Sequence, residues 1–451
     1  MTTRGVPAAA PAMGAEERPA AKSCAVLLPV WGVAFVRQFL DFCLPTLLAP
    51  GNIPALAEAL PTHFTLLTRS SDVPLIIEHP AWRQLARHCD TEVREIDDLI
   101  VDGNHHAAIT LAYIKQERAC EQTLSVFLVQ LRDAEGALRG IQVKRLKDKL
   151  GTRALPTAEL TLDGAPGHLI GGTGQGVRKI SALFNITRVY NAVAAVAGMR
   201  RAIALAKDYA SRRHAFGKPL AEHPLHVETL AALETEWRAA FLLAFHVVEL
   251  LGKQECGEAS PEDLARLRLL IPIAKLYTAK QAIAVASEAL ESFGGAGYIE
   301  DTGLPRLLRD AQVLSIWEGT TNVLSLDVLR ALERTNGLEA LLSDVRQRLA
   351  AIRAEPLVAS AARVRDAFQQ VETFGSRAAQ EGRLFAETHA RSFAYAIARA
   401  TAGLLLLEHA DWALTVEEDA SAVTAATRWC ARDLARLEND EGPVPSPIFI
   451  G

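Results

Sequence analysis

From Val177 to about residue 435, apolar residues recur at three- and four-residue spacing, through 180–210, 222–253 and 260–292 and again after Thr320. That period lays one stripe along a helix, whereas a strand needs a period of two. Short Gly/Pro punctuation at Gly217-Lys218-Pro219 and Ser260-Pro261 separates the runs, so consecutive helices should return antiparallel in a bundle. Ser260-Pro261-Glu262-Asp263 reads as a helix start, with a proline in the first turn and acids at the positive end of the dipole. More than half of the 451 residues are thereby committed to an all-α architecture.

Upstream the period changes twice. Residues 24 to about 116 alternate strand-like runs (Cys24–Val30, Phe64–Thr68, Glu92–Ile96) with amphipathic pieces (Val33–Leu48, Pro80–His88), the pattern of a parallel sheet with right-handed crossovers. From about 123 to 165 the strands come close together. Ser125–Leu131 and Gly140–Leu146 flank a turn at Asp133–Gly136, and Ala158–Asp163 follows, which predicts an antiparallel meander. The expected fold class is therefore mixed: an α/β segment, a partial β meander and an all-α bundle with a helical extension. The expected parts are a disordered tail (1–23), the α/β segment (24–118), the partial β domain (119–176), the bundle (177–335) and the extension (336–451).

The charge balance, 53 acidic against 48 basic side chains, argues against a protein whose main task is to coat nucleic acid. Arg346, Arg348, Arg353, Arg363 and Arg365 in the tail are interspersed with acids and read as a solvated helix face, so DNA is not an expected partner. The six cysteines are scattered, with no CxxC and no metal-like spacing, as in reduced intracellular thiols, and no metal is expected. Residues 1–22 lack a basic start followed by an apolar core, and no stretch of 18 uninterrupted apolar residues exists. A cytoplasmic protein without a membrane segment is the expectation.

Two segments carry chemistry. Ile316-Trp317-Glu318-Gly319-Thr320-Thr321-Asn322-Val323-Leu324 sets one carboxylate on an apolar run that breaks at a glycine. Phe293-Gly294-Gly295-Ala296-Gly297-Tyr298, twenty-odd residues earlier, offers bare backbone to a phosphate. Taken singly, each has a plain alternative. Glu318 also reads as a helix-end residue capped by Gly319, and the glycine triplet as a helix C-cap followed by a turn. Arg213, beside Arg212, also reads as a solvated arginine. His214, His223 and His226 are separated by Gly217 and Pro219 and lack an acidic partner at helical spacing, so they read as surface or core histidines.

Four blocks in fixed order make the stretch from about Leu124 to Glu333 resemble the C-terminal half of a flavin-dependent acyl-CoA dehydrogenase. They are Arg-Arg-His-Ala-Phe-Gly-Lys at 212–218, Phe-Gly-Gly-Ala-Gly-Tyr at 293–298, Leu-Leu-Arg-Asp at 307–310 and Trp-Glu-Gly-Thr at 317–320. The last block, with the helical tail beyond 336, is most similar to the branch containing the adaptive-response (DNA-alkylation-response) dehydrogenases. The resemblance implies that FAD is the cofactor and an acyl-CoA thioester the substrate. Glu318 would be the base that takes the alpha proton while a beta hydride passes to the flavin. Desolvation would raise its pKa, and its own N–H would help to hold the thioester carbonyl. Gly319 would release the backbone from the helix, and Thr320 would lie against the flavin or its phosphates. Arg213 would grip the FAD pyrophosphate of a neighbouring subunit, with Phe216 packing there, and Gly294, Gly295 and Gly297 would approach the dinucleotide across the interface. Arg188 falls on an arginine below the substrate-binding helix. Thr187 lies where some members carry the base, and a non-acidic residue there agrees with Glu318 in that role. A homodimer or homotetramer, and an electron-transfer flavoprotein or similar acceptor, are the implied partners.

The resemblance stops short of the N-terminal part. The family's Thr-Glu-x-x-Gly-Ser-Asp and Trp-Ile/Phe-Thr segments, which line the flavin, have no counterpart in this sequence; Thr68-Arg69-Ser70-Ser71-Asp72 is a faint echo. Residues 24–118 are loosely similar to a nucleotide-binding, sugar-transferase-like fold instead, so a replaced N-terminal part is expected to weaken flavin binding. Two other functions follow from the same pattern. One is a non-catalytic helical oligomerisation or binding protein derived from the family. The other is a nucleotide-sugar transferase, for which Asp97-Asp98 is the only local metal-binding candidate.

Overall fold

The computed structural model describes residues 24–29, 33–49, 52–59, 61–95, 110–114, 125–129, 132, 136–173, 176–417 and 420–437. The expected tail and Asp97-Asp98 lie outside them. The chain divides into two compact units. One takes residues up to Ala112 with Leu128–Ile141 and Leu162–His168; the other takes Tyr113–Phe127, Gln142–Thr161 and everything from Leu169.

In the first unit β1 (Cys24–Pro29), β2 (Thr62–Thr68) and β3 (Asp90–Glu95) pair in parallel in that order, with Val26 opposite Phe64 and Leu66 opposite Val93. Parallel neighbours need a crossover that returns the chain to the same end. Helices α1 (Val33–Gln38), α2 (Leu44–Leu47) and α3 (Ile53–Ala59), with a π-helical turn at Phe39–Cys43, make the first crossover. Helices α4 (Val73–Ile77) and α5 (Pro80–Leu85) make the second. Phe39, Leu40, Leu44, Phe64, Leu66, Trp82 and Leu85 form one buried cluster, with Trp82 edge-on to Phe64 at 6.1 Å.

Strands β4 (Thr110–Ile114), β5 (Ser125–Val129), β6 (Ile141–Leu146), β7 (Ala158–Leu162) and β8 (Gly167–Ile170) follow. The expected hairpin of Ser125–Leu131 with Gly140–Leu146 does not form. The apolar β5 lies between β4 and β8, while β6 pairs with β7. Side-chain chemistry explains the sorting. After Ile141, strand β6 is exposed, and its Arg145 meets Glu159 of β7 at 2.9 and 3.0 Å, with Lys147 at 2.6 Å from the same carboxylate. Lys147 N–H donates to the Thr157 carbonyl and Asp163 N–H to the Gly140 carbonyl, the crossed register of an antiparallel pair.

The remainder is helical: α6 (Gly176–Arg212), α7 (Pro224–Glu255), α8 (Pro261–Glu291), α9 (Pro305–Leu314), α10 (Thr321–Arg334), α11 (Gly337–Ala351), α12 (Val358–Glu381), α13 (Arg383–Trp412) and α14 (Ser421–Cys430). A two-residue hairpin of β9 (His214–Ala215) and β10 (Lys218–Pro219) joins α6 to α7. Helix α8 starts on a reciprocal cap, Ser260 Oγ accepting from Asp263 N–H and the Asp263 carboxylate from Ser260 N–H. Alanines on the buried faces of α6 (Ala195, Ala202, Ala206) and α8 (Ala279, Ala282, Ala286) let these helices approach closely. The extension is no appendage. Leu243 and Val247 of α7 and Leu269 and Leu270 of α8 share one core with Leu341, Val364, Phe393 and Trp429. Polar contacts seal the same seam, where Glu236 accepts from Tyr277 Oη at 2.6 Å and from Arg432 at 2.7 Å.

Within the larger unit the loop at 147–155 is pinned to α9. Thr152, at φ +51°, donates its N–H to Asp310 Oδ1 at 2.5 Å, and a Cβ on Gly151 would lie 2.3 Å from the Arg309 carbonyl oxygen. Gly151→Ala should therefore lower stability by about 1–3 kcal/mol through overpacking. Gly198→Ala, at an open position inside α6, should raise it by about 0.5–1 kcal/mol. Thermal melts of the two variants check the contrast, which fails if Gly151→Ala melts at or above the parent temperature.

Candidate active site

Glu318 is not at a helix end. Helix α9 stops at Leu314, a turn follows, and α10 begins after Thr320. Glu318 has φ +56° and Gly319 φ +105°, two successive residues in the left-handed region. For a glutamate this costs on the order of 1 kcal/mol and persists only where the surroundings over-determine it. At Gly319 the requirement is also spatial, because an added Cβ would sit 3.0 Å from Leu324 Cδ2.

Three elements hold the turn. From α8, the fully buried Lys275 donates from Nζ to the Trp317 carbonyl at 2.8 Å and to the Gly319 carbonyl at 2.6 Å. From α6, Arg188 donates Nε to the Glu318 carbonyl at 3.2 Å and Nη1 to Asp327 Oδ2 at 2.8 Å. From α10, the buried Asp327 also takes Arg268 of α8, at 2.7 and 3.3 Å. The half-buried Glu318 carboxylate accepts from Thr187 Oγ1 at 2.8 Å. That hydroxyl also lies 3.0 Å from the Leu183 carbonyl, and the charge-assisted bond to the carboxylate is the stronger use of its one proton.

Charge and burial compete here. Burial, with Arg188 nearby, pulls the Lys275 ammonium down to about 8, against a smaller upward effect of Glu318. Burial pushes the Asp327 carboxyl up, but bonds from Arg268 and the charges of Arg268 and Arg188 outweigh it, so its pKa lies below the ordinary 3.8.

The other expected residues stand elsewhere. Arg213 is exposed beyond the end of α6, its N–H donating to the Tyr209 carbonyl. Phe216, at φ +49° and 97% exposed, forms the hairpin tip. Gly294–Gly297 is a 3₁₀ turn after α8. Gly294 needs its glycine for φ +59°, and Gly297 because a Cβ would lie 2.1 Å from the Leu290 carbonyl oxygen; Gly295 has open space. Tyr209 and Phe293 pack at a tilt of 48° with centroids 5.1 Å apart, which sets the hairpin and the glycine turn at one end of the bundle. Thr320 is exposed at the start of α10, without a side-chain cap bond. Arg188 is committed to Asp327 and the Glu318 carbonyl, so it supports the turn from behind. Among the described residues no cluster of His, Cys, Asp and Glu fit to hold a metal occurs, and His223 bonds the Ala215 carbonyl at 3.0 Å.

Lys275, Asp327 and Arg268 escaped the sequence reading. The signal was there for Lys275, a lone cation inside Leu269-Leu-Ile-Pro-Ile-Ala-Lys275-Leu-Tyr277. Asp327 and Arg268 look like solvated residues in sequence, since only the fold shows them meeting.

Residues 174–333 match the family model for the acyl-CoA dehydrogenase C-terminal domain, and residues 336–444 that for an acyl-CoA dehydrogenase 11 C-terminal domain-like region. The chain is 47% identical over 368 residues to acyl-CoA dehydrogenase family member 11 of Caenorhabditis elegans, covering 77% of this chain and 59% of that protein. The crystal structure of Caenorhabditis elegans ACDH-11 in complex with C11-CoA superposes with a TM-score of 0.66 at 46% identity, over 69% of this chain and 53% of that one. A second structure, the Bd2924 apo-form, gives 0.58 at 47% identity, over 67% and 56%. Residues 174–444 thus form the C-terminal part of an acyl-CoA dehydrogenase. The chain spans little more than half the length of the relatives just described.

Asp327 is the acid that the partly buried Arg188 and Arg268 share, so Asp327→Ala should cost about 1.5–3 kcal/mol near neutral pH by removing the charged hydrogen-bond partner of both. Because its folded pKa is depressed, the contribution is present above 3.8 and is lost as pH falls below it. Melting curves of the parent and the variant should therefore differ most near neutrality and converge in acid. A difference unchanged down to the lowest pH at which both fold would contradict this.

Proposed function

We propose that the chain is an FAD-dependent acyl-CoA dehydrogenase in which Glu318 removes the alpha proton of an acyl-CoA thioester. The observation that carries the reading is the Glu318 turn. A carboxylate on a left-handed, glycine-supported turn is costly to build and is held in place by the buried Lys275, the partly buried Arg188 and a threonine hydroxyl. The 46% identity to a protein crystallised with C11-CoA supports an acyl-CoA ligand.

The residues present suit a flavin dinucleotide. Arg213 offers a planar donor fork for phosphate, and among the described residues its side chain makes no bond. Phe216 presents an exposed ring, and the Gly295 backbone lies open. When bound, FAD would accept the beta hydride that leaves as the alpha proton is taken. Glu318 would hold that proton on its carboxylate, with Thr187 fixing the carboxylate oxygen it bonds. The Glu318 N–H, which has no acceptor among the described residues, would donate to the thioester carbonyl and stabilise the charge that develops there.

The two groups of residues lie far apart along the long helices, the Glu318 turn against their middle stretches and the hairpin and glycine turn beyond their C-terminal ends. Thr187 beside Glu318 and Tyr209 beside the glycine turn are 22 residues apart on α6, about 33 Å at helical rise. Lys275 and Glu291, the last residue of α8, are 16 residues or about 24 Å apart by the same measure. One chain's Arg213–Phe216 hairpin and Gly294 turn therefore suit the cofactor of a second copy, with Glu318 and Thr320 serving its own. A homodimer is the smallest assembly that completes the site, and a homotetramer would pair two such dimers.

The test follows the proton. Wild-type protein incubated with acyl-CoA in heavy water should exchange the alpha hydrogens, and Glu318→Gln should slow that exchange by about 10²–10⁴-fold. Equal exchange by the two proteins would refute Glu318 as the base.

A further inference from the structure

We propose that Lys275 is the positioning residue that aims the Glu318 backbone N–H at the substrate's thioester oxygen, an inference that rests on the acyl-CoA dehydrogenase reading above.

The argument is about peptide planes. In a trans peptide the C=O and the following N–H point in opposite directions. Lys275 Nζ draws the Trp317 carbonyl towards α8 at 2.8 Å, so the Glu318 N–H in the same plane faces away from α8. The Gly319 carbonyl, held at 2.6 Å by the same ammonium, turns the Thr320 N–H outward too. Arg188 does the same from α6 for the plane between Glu318 and Gly319. None of the N–H groups of Glu318, Gly319 and Thr320 finds an acceptor among the described residues, whereas those of Ile316 and Trp317 bond the Val313 carbonyl. Three carbonyls are thus consumed on the buried side, and three donors are left on the other.

The residue type fits the task. An ammonium carries three donors on one atom, enough to serve two carbonyls from a single buried point. Arginine would bring a planar fork of larger size into a position with no exposure. A methionine would fill the volume but leave two carbonyls unsatisfied, and the left-handed turn would lose the bonds that offset its strain. Lys275 touches neither the reacting carbon nor the oxygen. Its effect is read through the donor it orients.

Binding of two ligands separates that effect from general damage. In a Glu318→Gln background, which prevents turnover, affinities are measured for undecanoyl-CoA and for S-undecyl-CoA, the thioether lacking the carbonyl. With Lys275 present the thioester should bind about tenfold more tightly, the worth of one hydrogen bond to a carbonyl. With Lys275→Met added, the ratio should fall to about one, while the thioether affinity, which needs no carbonyl donor, stays within about twofold. A retained preference for the thioester overturns the role of Lys275. If the Lys275-containing protein binds neither ligand, the acyl-CoA reading fails and the inference fails with it. Should Lys275→Met not fold, a crystal structure of the Glu318→Gln protein with undecanoyl-CoA decides. The thioester oxygen within hydrogen-bond distance of the N–H of residue 318, with Nζ still on both carbonyls, supports the proposal; an oxygen bound elsewhere overturns it.

Discussion

The structure around Glu318 depends on one buried ammonium. Lys275 sits in an otherwise apolar stretch of α8, where a charge taken out of water costs several kcal/mol unless its donors are used. Two backbone carbonyls on one turn use them. That coupling ties the core helix α8 to the irregular turn between α9 and α10. Arg188 adds the third carbonyl and is itself fixed by Asp327, which Arg268 shares. Helices α6, α8 and α10 thus meet at a polar knot inside an alanine- and leucine-rich bundle. A knot of this kind confines the turn to one geometry, which an apolar contact of the same size would not do.

The same long helices are the reason for the proposed pairing of two copies. Rigid rods of 37 and 31 residues hold the Glu318 turn against their middle stretches and lead to the hairpin and the glycine turn at their C-terminal ends, too far apart to act on a single bound thioester. The Arg213–Phe216 hairpin makes sense in that light. A phenylalanine held at positive φ with almost its whole ring in solvent is unfavourable for an isolated chain, and it suits a surface completed by something else.

Much of this was legible in the sequence. Helical period predicted α6, α7 and α8 nearly to their ends, because long amphipathic runs with proline starts and a Ser260 cap leave little choice. Glu318 stood out through the order of its neighbouring blocks. Local signals failed where non-local pairing decides. The turn residues at 133–136 suggested a hairpin, yet β6 chose β7 through Glu159 and its two cations. Glu318 looked like a residue before a helix cap, and only Lys275 and Arg188, some 40 and 130 residues away, make it a left-handed turn residue. Leu-Leu-Arg-Asp at 307–310 was readable as a block but not as a clamp, since its partner loop at 147–155 lies far upstream.

The most direct test of the proposed dehydrogenase is optical. Purified chain supplied with FAD is titrated anaerobically with an acyl-CoA while the visible flavin band is followed. The account predicts a protein-bound flavin band that bleaches on acyl-CoA addition in the wild type and persists in Glu318→Gln. A folded, oligomeric protein that takes up no flavin, or whose flavin stays oxidised with every acyl-CoA offered, would contradict it.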